Sequence, residues 1–420
     1  MTPGLRQGPR PLGLHLTSAM GAWLSSRAAS PLLKSGSRLW RPEFAVQGAA
    51  LSLALNAALA RNDGAPGAAV PYDLLRDPFL EALDRELIAR AAAFLDGIER
   101  YRQHPYARAL EDPPVVWREG TTRLVDYGPP DGAPLLVVPS LINRAYILDL
   151  APGQSLLRYL SSQGLRPMLV DWDAPADEER RFGLGDYIAQ RLEPALEAAR
   201  EQAGAEPIVM GYCMGGLLAL ALAARRPHAV KALALLATPW RFHAERAAHA
   251  RLLGVLAEPI ARSFEALGEV PVDVLQALFF AQDALIALRK FTRFAELAPD
   301  SAAARGFVAL EDWLNDGVPL AVKVARECLG GWYGEDLTGR GRWRVAGTRV
   351  LPAAVQVPSL VIVPGNDRIV PPKTAEALAE ELPDAERMTP PLGHIGMITA
   401  REAPSAVWAP LAAWLKAQAA

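Results

Sequence analysis

Cys213 is the residue best placed to do chemistry. It stands in Pro207-Ile208-Val209-Met210-Gly211-Tyr212-Cys213-Met214-Gly215-Gly216, where an apolar run ends in Gly-x-Cys-x-Gly-Gly and an Ala/Leu-rich stretch over 217–224 follows. That order predicts strand, sharp turn and helix. It is the layout of a nucleophile elbow, with cysteine where serine usually stands. A nucleophile on a strained turn needs neighbours without a Cβ, so that strand and helix can approach closely. The turn also sets Cys213 just before a helix N-terminus, whose partial positive charge favours thiolate over thiol. The plainer alternative is a buried cysteine in a glycine-rich turn.

A thiol in this role needs a base, and the base needs an orienting acid. With the elbow, the expected chain order is nucleophile, acid, histidine. Asp367 lies in Pro364-Gly365-Asn366-Asp367-Arg368-Ile369-Val370, directly after an apolar run, and His394 lies in Leu392-Gly393-His394-Ile395-Gly396. Each has an ordinary reading: Asp367 as a turn cap, His394 as a loop histidine. The three together, each at an expected strand end, point to a triad. An oxyanion hole is also required. One donor is the backbone N–H of Met214, and the second is expected from the amide of Leu141 or Ile142, with Ile142 taken forward. Asn143 has the more ordinary use of capping the next helix.

The other histidines, at positions 15, 104, 228, 243 and 249, share no ligand spacing, so no metal or resident cofactor is expected. The chain has 420 residues, 51% of them hydrophobic, enough for one large core with additions. A net charge of -2 offers no nucleic-acid footprint. Two cysteines, Cys213 and Cys328, exclude a disulfide framework and suit a reducing cytosol. Cys328 reads as packing in a helical stretch. Arg241, Arg342 and Arg344 read as solvated, with phosphate binding as the alternative. No apolar stretch is long enough to span a membrane, and residues 1–30 lack the unbroken apolar core of an export signal.

Elements to hold these residues follow from the patterning. Residues 1–70 are rich in Ala, Gly, Pro and Ser, with 1–19 expected to be unstructured, a helical patch at 44–60 and a linker at 62–67. An amphipathic helix is expected over 77–101. A strand pair is expected over 115–117 and 122–127. Strands near 135–138, 167–172, 208–212, 232–239, 358–363 and 385–389 alternate with helices over 155–164, 187–202, 374–382 and 406–417. Strands apolar on both faces imply a mostly parallel sheet covered on both sides. Between 241 and 350 the alternation stops, which suggests a helical cap inserted after the sixth strand. The expected division is an extension over 1–105, a catalytic core over 106–240 and 351–420, and a cap over 241–350.

These segments resemble the polyhydroxyalkanoate synthases, cysteine-dependent members of the α/β-hydrolase fold. The resemblance is carried by Pro134-Leu135-Leu136-Val137-Val138-Pro139-Ser140-Leu141-Ile142-Asn143-Arg144-Ala145-Tyr146, by Asp171-Trp172 with Asp186-Tyr187-Ile188, and by the Gly211-Tyr212-Cys213-Met214-Gly215-Gly216 box. Asp312-Trp313 with Asn315-Asp316, Gly365 with Asp367, and Gly393-His394-Ile395 complete it. It implies that Cys213 accepts a 3-hydroxyacyl group from a coenzyme A thioester, that His394 deprotonates thiol and then hydroxyl, and that Asp367 supports this. The coenzyme is then a substrate, the growing polyester chain is the second, and a homodimer or a second synthase subunit is an implied partner. The implied location is the cytoplasm, at polyester granule surfaces. The chain departs from the pattern at Trp240-Arg241-Phe242 after Thr238-Pro239, and at Gly396-Met397-Ile398. A hydrolytic relative (a polyester depolymerase or thioesterase) or a non-catalytic granule protein would carry many of the same segments.

Overall fold

The computed structural model describes residues 6–28, 78–281 and 283–419. The patch expected at 44–60 and the linker at 62–67 lie outside them. The chain divides into two compact units, one within Met1–Pro105 and Gln276–Val308, the other comprising Tyr106–Leu275 and Ala309–Ala420. This division cuts the segment 241–350, expected as one cap, into parts of both units.

The second unit is built on an eight-stranded sheet. Its strands are β1 (Val115–Glu119), β2 (Thr122–Asp126), β3 (Ala133–Val138), β4 (Leu165–Asp171), β5 (Ile208–Tyr212), β6 (Leu233–Leu236), β7 (Ser359–Ile362) and β8 (Glu386–Met388). Their spatial order is β1-β2-β4-β3-β5-β6-β7-β8. The β1–β2 and β2–β4 pairs are antiparallel, and every later pair is parallel. Two-residue alternation sorts the side chains into two cores. Leu136, Val138, Val209, Leu233 and Leu235 join one, while Leu135, Val137, Met210, Ala234 and Leu236 join the other. Both faces are therefore covered, as strands apolar on both sides require.

After β6 the chain enters its inserted helical segment. In this unit the segment includes the helices Ala247–Val255, Ala257–Phe264 and Val322–Arg326 and the π-helical stretch Glu327–Gly334. Gly254 and Gly334 let two of these helical stretches meet backbone to backbone, since a Cβ on Gly254 would lie 2.3 Å from the Gly334 Cα. Entry and exit are pinned together. The Phe242 amide donates to Asp336 Oδ1 at 2.9 Å, and the Thr338 hydroxyl donates to the Trp240 carbonyl. The Trp240-Arg241-Phe242 departure thus has a structural use. Trp240 is fully buried with its indole N–H donating to Glu381, Arg241 pairs with the same carboxylate, and Phe242 joins the core.

In the first unit, residues 12–19 are helical rather than unstructured, forming part of Leu12–Ala28. The helix Pro78–Gln103 packs on Ile286–Ala295 through Phe94, Tyr101 and Phe291. A Cβ on Gly97 would sit 2.0 Å from the Phe291 carbonyl oxygen, so this contact needs glycine.

The elbow is the tightest junction in the second unit. A Cβ on Gly216 would lie 1.8 Å from Thr238 Oγ1, and one on Gly215 would lie 2.1 Å from the Val138 carbonyl oxygen. Gly216→Ala is expected to destabilise the protein by about 1–3 kcal/mol through overpacking. Thr238→Ala, added to it, should recover part of that loss. Denaturant unfolding of the single and double variants measures both. Gly215→Ala meets backbone rather than side chain, so Thr238→Ala should not rescue it.

Candidate active site

Cys213 follows β5 directly and is the N-cap residue of the helix Met214–Arg225, with φ 56° and ψ -126°. A β-carbon residue in this left-handed region is strained by about 1–3 kcal/mol and persists only where its surroundings hold it. Here its amide donates to the Leu236 carbonyl at 2.8 Å, and its own carbonyl accepts from Gly216 N at 3.0 Å. Gly211 meets the same helix start, since a Cβ on it would lie 2.4 Å from the Gly216 Cα. The sulfur is half-buried and packs against both hydrophobic cores.

Asp367 and His394 come from two loops that are zipped together. Gly365 N donates to the Pro390 carbonyl and Asn366 N to the Leu392 carbonyl, each at 2.9 Å, and Asn366 Nδ2 donates to the Pro391 carbonyl at 3.1 Å. Asp367 uses both carboxylate oxygens. Oδ1 accepts the amides of Ile369 and Val370, each at 2.8 Å, while Oδ2 meets His394 Nδ1 at 2.7 Å. The same residue therefore caps its turn and meets the histidine. With Nδ1 taken, Nε2 is the ring nitrogen left for the Cys213 sulfur, whose charge acts on the imidazole.

Burial of the His394 ring opposes its charged form. The Cys213 sulfur, then the Asp367 carboxylate, outweigh this, so its pKa is pushed up to about 10. The three residues singled out from the sequence thus meet at one point.

Sequence reasoning passed over Tyr212. Its hydroxyl donates to the His394 carbonyl at 3.1 Å, and its ring lies 5.3 Å from the imidazole, so it braces the base from beneath. The position directly before Cys213, on a strand already recognised, was the available signal. Burial holds its phenol well above the usual range, so it remains a donor.

The loop after β3 lies against the elbow, because the Gly215 Cα faces Val138 and Pro139. Trp172 Nε1 donates to the Pro139 carbonyl at 3.0 Å and Trp313 Nε1 to the Arg144 carbonyl at 2.7 Å. Asn143 bridges to Gly317, and Arg144 pairs with Asp173 and Asp316. Farther on, the fully buried Asp149 holds Arg108 and Arg158, each at 2.8 Å. Met214 N, in the first helical turn, has no carbonyl within its own helix to bond. The amide of Ile142 donates to Ser140 Oγ at 3.2 Å, so it is engaged within its own turn. Cys328 is buried, and burial raises its thiol well above the usual range, in keeping with a packing role. Among the described residues, no cluster of His, Cys, Asp and Glu could hold a metal ion, and no helix is long and apolar enough to cross a membrane.

Residues 133–400 match the family model for the alpha/beta hydrolase fold. The chain belongs to that family. This α/β-hydrolase-fold chain is 27% identical over 337 residues to the poly(3-hydroxyalkanoate) polymerase subunit PhaC of Haloferax mediterranei, covering 78% of this chain and 68% of that protein. It is 28% identical over 314 residues to the PhaC subunit of Synechocystis, covering 72% and 83%. The resemblance to polyhydroxyalkanoate synthases read from its motifs therefore extends over most of the chain. Among solved structures, a thermophilic esterase from Thermogutta terrifontis aligns over 74% of this chain and 99% of its own, with a TM-score of 0.45 and 18% identity.

Because the imidazole stays charged to about pH 10, it can support a thiolate throughout the neutral range. Below that pH the cation is present, and above it the proton and the support are lost. Removing the imidazolium in His394→Gln should therefore slow the alkylation of Cys213 by iodoacetamide at pH 7. Mass spectrometry should find a single label, since Cys328 is buried.

Proposed function

We propose that this protein is an acyltransferase that moves 3-hydroxyacyl groups from coenzyme A thioesters onto Cys213 and then onto a hydroxyl, building polyester. The observation that carries this reading is the strained elbow cysteine together with a buried histidine whose Nδ1 lies 2.7 Å from a buried carboxylate. The similarity to poly(3-hydroxyalkanoate) polymerase subunits supports the substrate class.

In the first half-reaction His394 holds the proton of Cys213, and the thiolate attacks the thioester carbonyl carbon. The amide of Met214, with one from the Leu141–Ile142 turn, stabilises the charge that develops on the carbonyl oxygen. The carbon–sulfur bond to coenzyme A breaks, and the imidazolium returns its proton to the leaving sulfur. In the second half-reaction His394 takes the proton of an incoming hydroxyl, whose oxygen attacks the acyl-cysteine. The Cys213 sulfur leaves as thiolate. Asp367 fixes the tautomer and steadies the imidazolium in both steps.

Cysteine suits this sequence. Thioester-to-thioester exchange loses little driving force, and transfer to an alcohol is then downhill. Serine would store the acyl group as an ester, a poorer donor to the next hydroxyl. The reading also carries a growing polyester chain as second substrate, a homodimer or second subunit as partner, and granule surfaces in the cytoplasm as the place of work.

Incubating the full chain with 3-hydroxybutyryl-CoA tests this. Coenzyme A release, a hydroxybutyryl adduct on Cys213 by intact mass, and polymer by light scattering are expected. Cys213→Ala and His394→Ala should each lose at least about a thousandfold in coenzyme A release, Asp367→Asn somewhat less. Free hydroxybutyrate without polymer would replace this reading with a hydrolase. Unchanged release by Cys213→Ala would remove the acyl-cysteine step.

A further inference from the structure

One segment that shares in the synthase resemblance enters no step of the proposed reaction: Asp312-Trp313 with Asn315-Asp316. Trp313 lies in the last turn of the helix Ala302–Asn315 and is almost fully buried. The helix ends there, with the Asp316 amide donating to the Asp312 carbonyl at 3.0 Å. The chain then runs antiparallel past the loop after β3, and three consecutive residues of that loop are tied to it. Trp313 Nε1 donates to the Arg144 carbonyl at 2.7 Å, Gly317 bridges to Asn143, and the Val318 amide makes a long bond, 3.5 Å, to the Ile142 carbonyl. The Arg144 side chain adds ion pairs with Asp173 and, at 3.6 Å, with Asp316.

The other end of the loop rests on the elbow. A Cβ on Gly215 would lie 2.6 Å from both the carbonyl carbon and the carbonyl oxygen of Pro139. The same oxygen takes the Trp172 indole N–H. Between the loop, Trp172 and Val318 the space left is about 10 Å³, too little for more than one water. Residues 139–144 therefore reach from the first turn of the nucleophile's helix to a strap at 313–318, held at both ends and packed between. The Trp313 bond is the shorter of the two hydrogen bonds from the strap, and its donor is a rigid ring seated in the core.

We infer that Trp313 is a positioning residue for acyl transfer: its indole N–H holds the loop after β3 in place against the elbow, so that the loop's amide can meet the carbonyl oxygen of the thioester. This assignment rests on the acyl-transfer reading above. Trp313 acts through the loop rather than on the reacting atoms. A group that stabilises developing charge loses up to about a hundredfold in rate when it is misplaced by about 1 Å.

Trp313→Phe keeps an aromatic ring in the core and removes the N–H. Two reactions of Cys213, followed by intact mass in the full chain, separate positioning from packing. Acylation by 3-hydroxybutyryl-CoA develops charge on a carbonyl oxygen. Alkylation by iodoacetamide, in which the sulfur–carbon bond forms as iodide leaves, does not. In Trp313→Phe the single-turnover acylation rate at saturating thioester should fall about 10–100-fold, with half-saturation moved less than about threefold and the fraction of chains that react unchanged. Alkylation should proceed at the wild-type rate. Arg144→Ala removes only the half-buried ion pairs and leaves the core intact, and it should slow acylation in the same direction by a smaller factor. Amide hydrogen exchange over 139–145 should be at least about tenfold faster in Trp313→Phe, and exchange over 208–217 unchanged. Equal slowing of acylation and alkylation would overturn the inference and mark Trp313 as serving the elbow or the core as a whole. Unchanged acylation, or unchanged exchange over 139–145, would overturn it outright. Wild type that is alkylated at Cys213 but never acylated would overturn the acyl-transfer reading and the positioning role with it, while faster exchange over 139–145 would still uphold the clamp on the loop.

Discussion

Close approach of backbone at the elbow is the constraint on which the rest depends. Three glycines around Cys213 leave no room for a Cβ: Gly211 against Gly216, Gly215 against Val138 and Pro139, Gly216 against Thr238. Those contacts bring the end of β3, the end of β5, the segment after β6 and the first turn of one helix to a single junction. Only such crowding holds a cysteine at φ 56°. The strain presents the sulfur at the strand end, and the helix start puts an unspent amide beside it.

Charge is organised around that junction with few groups. Asp367 divides its oxygens, one steadying its own turn and one orienting His394. The two loops bearing these residues are joined backbone to backbone, so base and acid move as one body. Tyr212 links the base back to β5, the strand that carries the nucleophile. A buried imidazole would ordinarily favour its neutral form. The sulfur and the carboxylate reverse that preference, which makes the base a cation at rest.

Around this centre the chain uses tryptophans and arginines as fasteners. Trp172 and Trp313 bond the carbonyls of Pro139 and Arg144, fixing the loop after β3 at both ends. Trp240 and Thr338 tie the entry of the inserted segment to its exit. The segment then packs Phe242 against Trp332 and Tyr333 on a frame anchored to the core. Residues that depart from the synthase pattern, Trp240 to Phe242, are thereby part of what anchors the inserted segment.

The strands of the core, the elbow turn and the loops bearing Asp367 and His394 were legible because their signals are local: apolar runs, paired glycines, and polar residues just after strands. The helix over Leu12–Ala28 was not, since His15, Thr17, Ser18 and two glycines blur its period. Nor was the split of 241–350 between two units, because helical periodicity says nothing about which core a helix joins. Tyr212 read as an ordinary strand residue until its hydroxyl could be followed to the His394 carbonyl. By itself, the sequence determined the kind of chemistry available, a thiol with an imidazole and a carboxylate in elbow order. Tertiary structure decided which oxygen of Asp367 meets His394, that Ile142 spends its amide on Ser140, and that the Tyr212 hydroxyl reaches the His394 carbonyl. Those choices depend on distances between residues far apart in the chain, and only the packed backbone sets such distances.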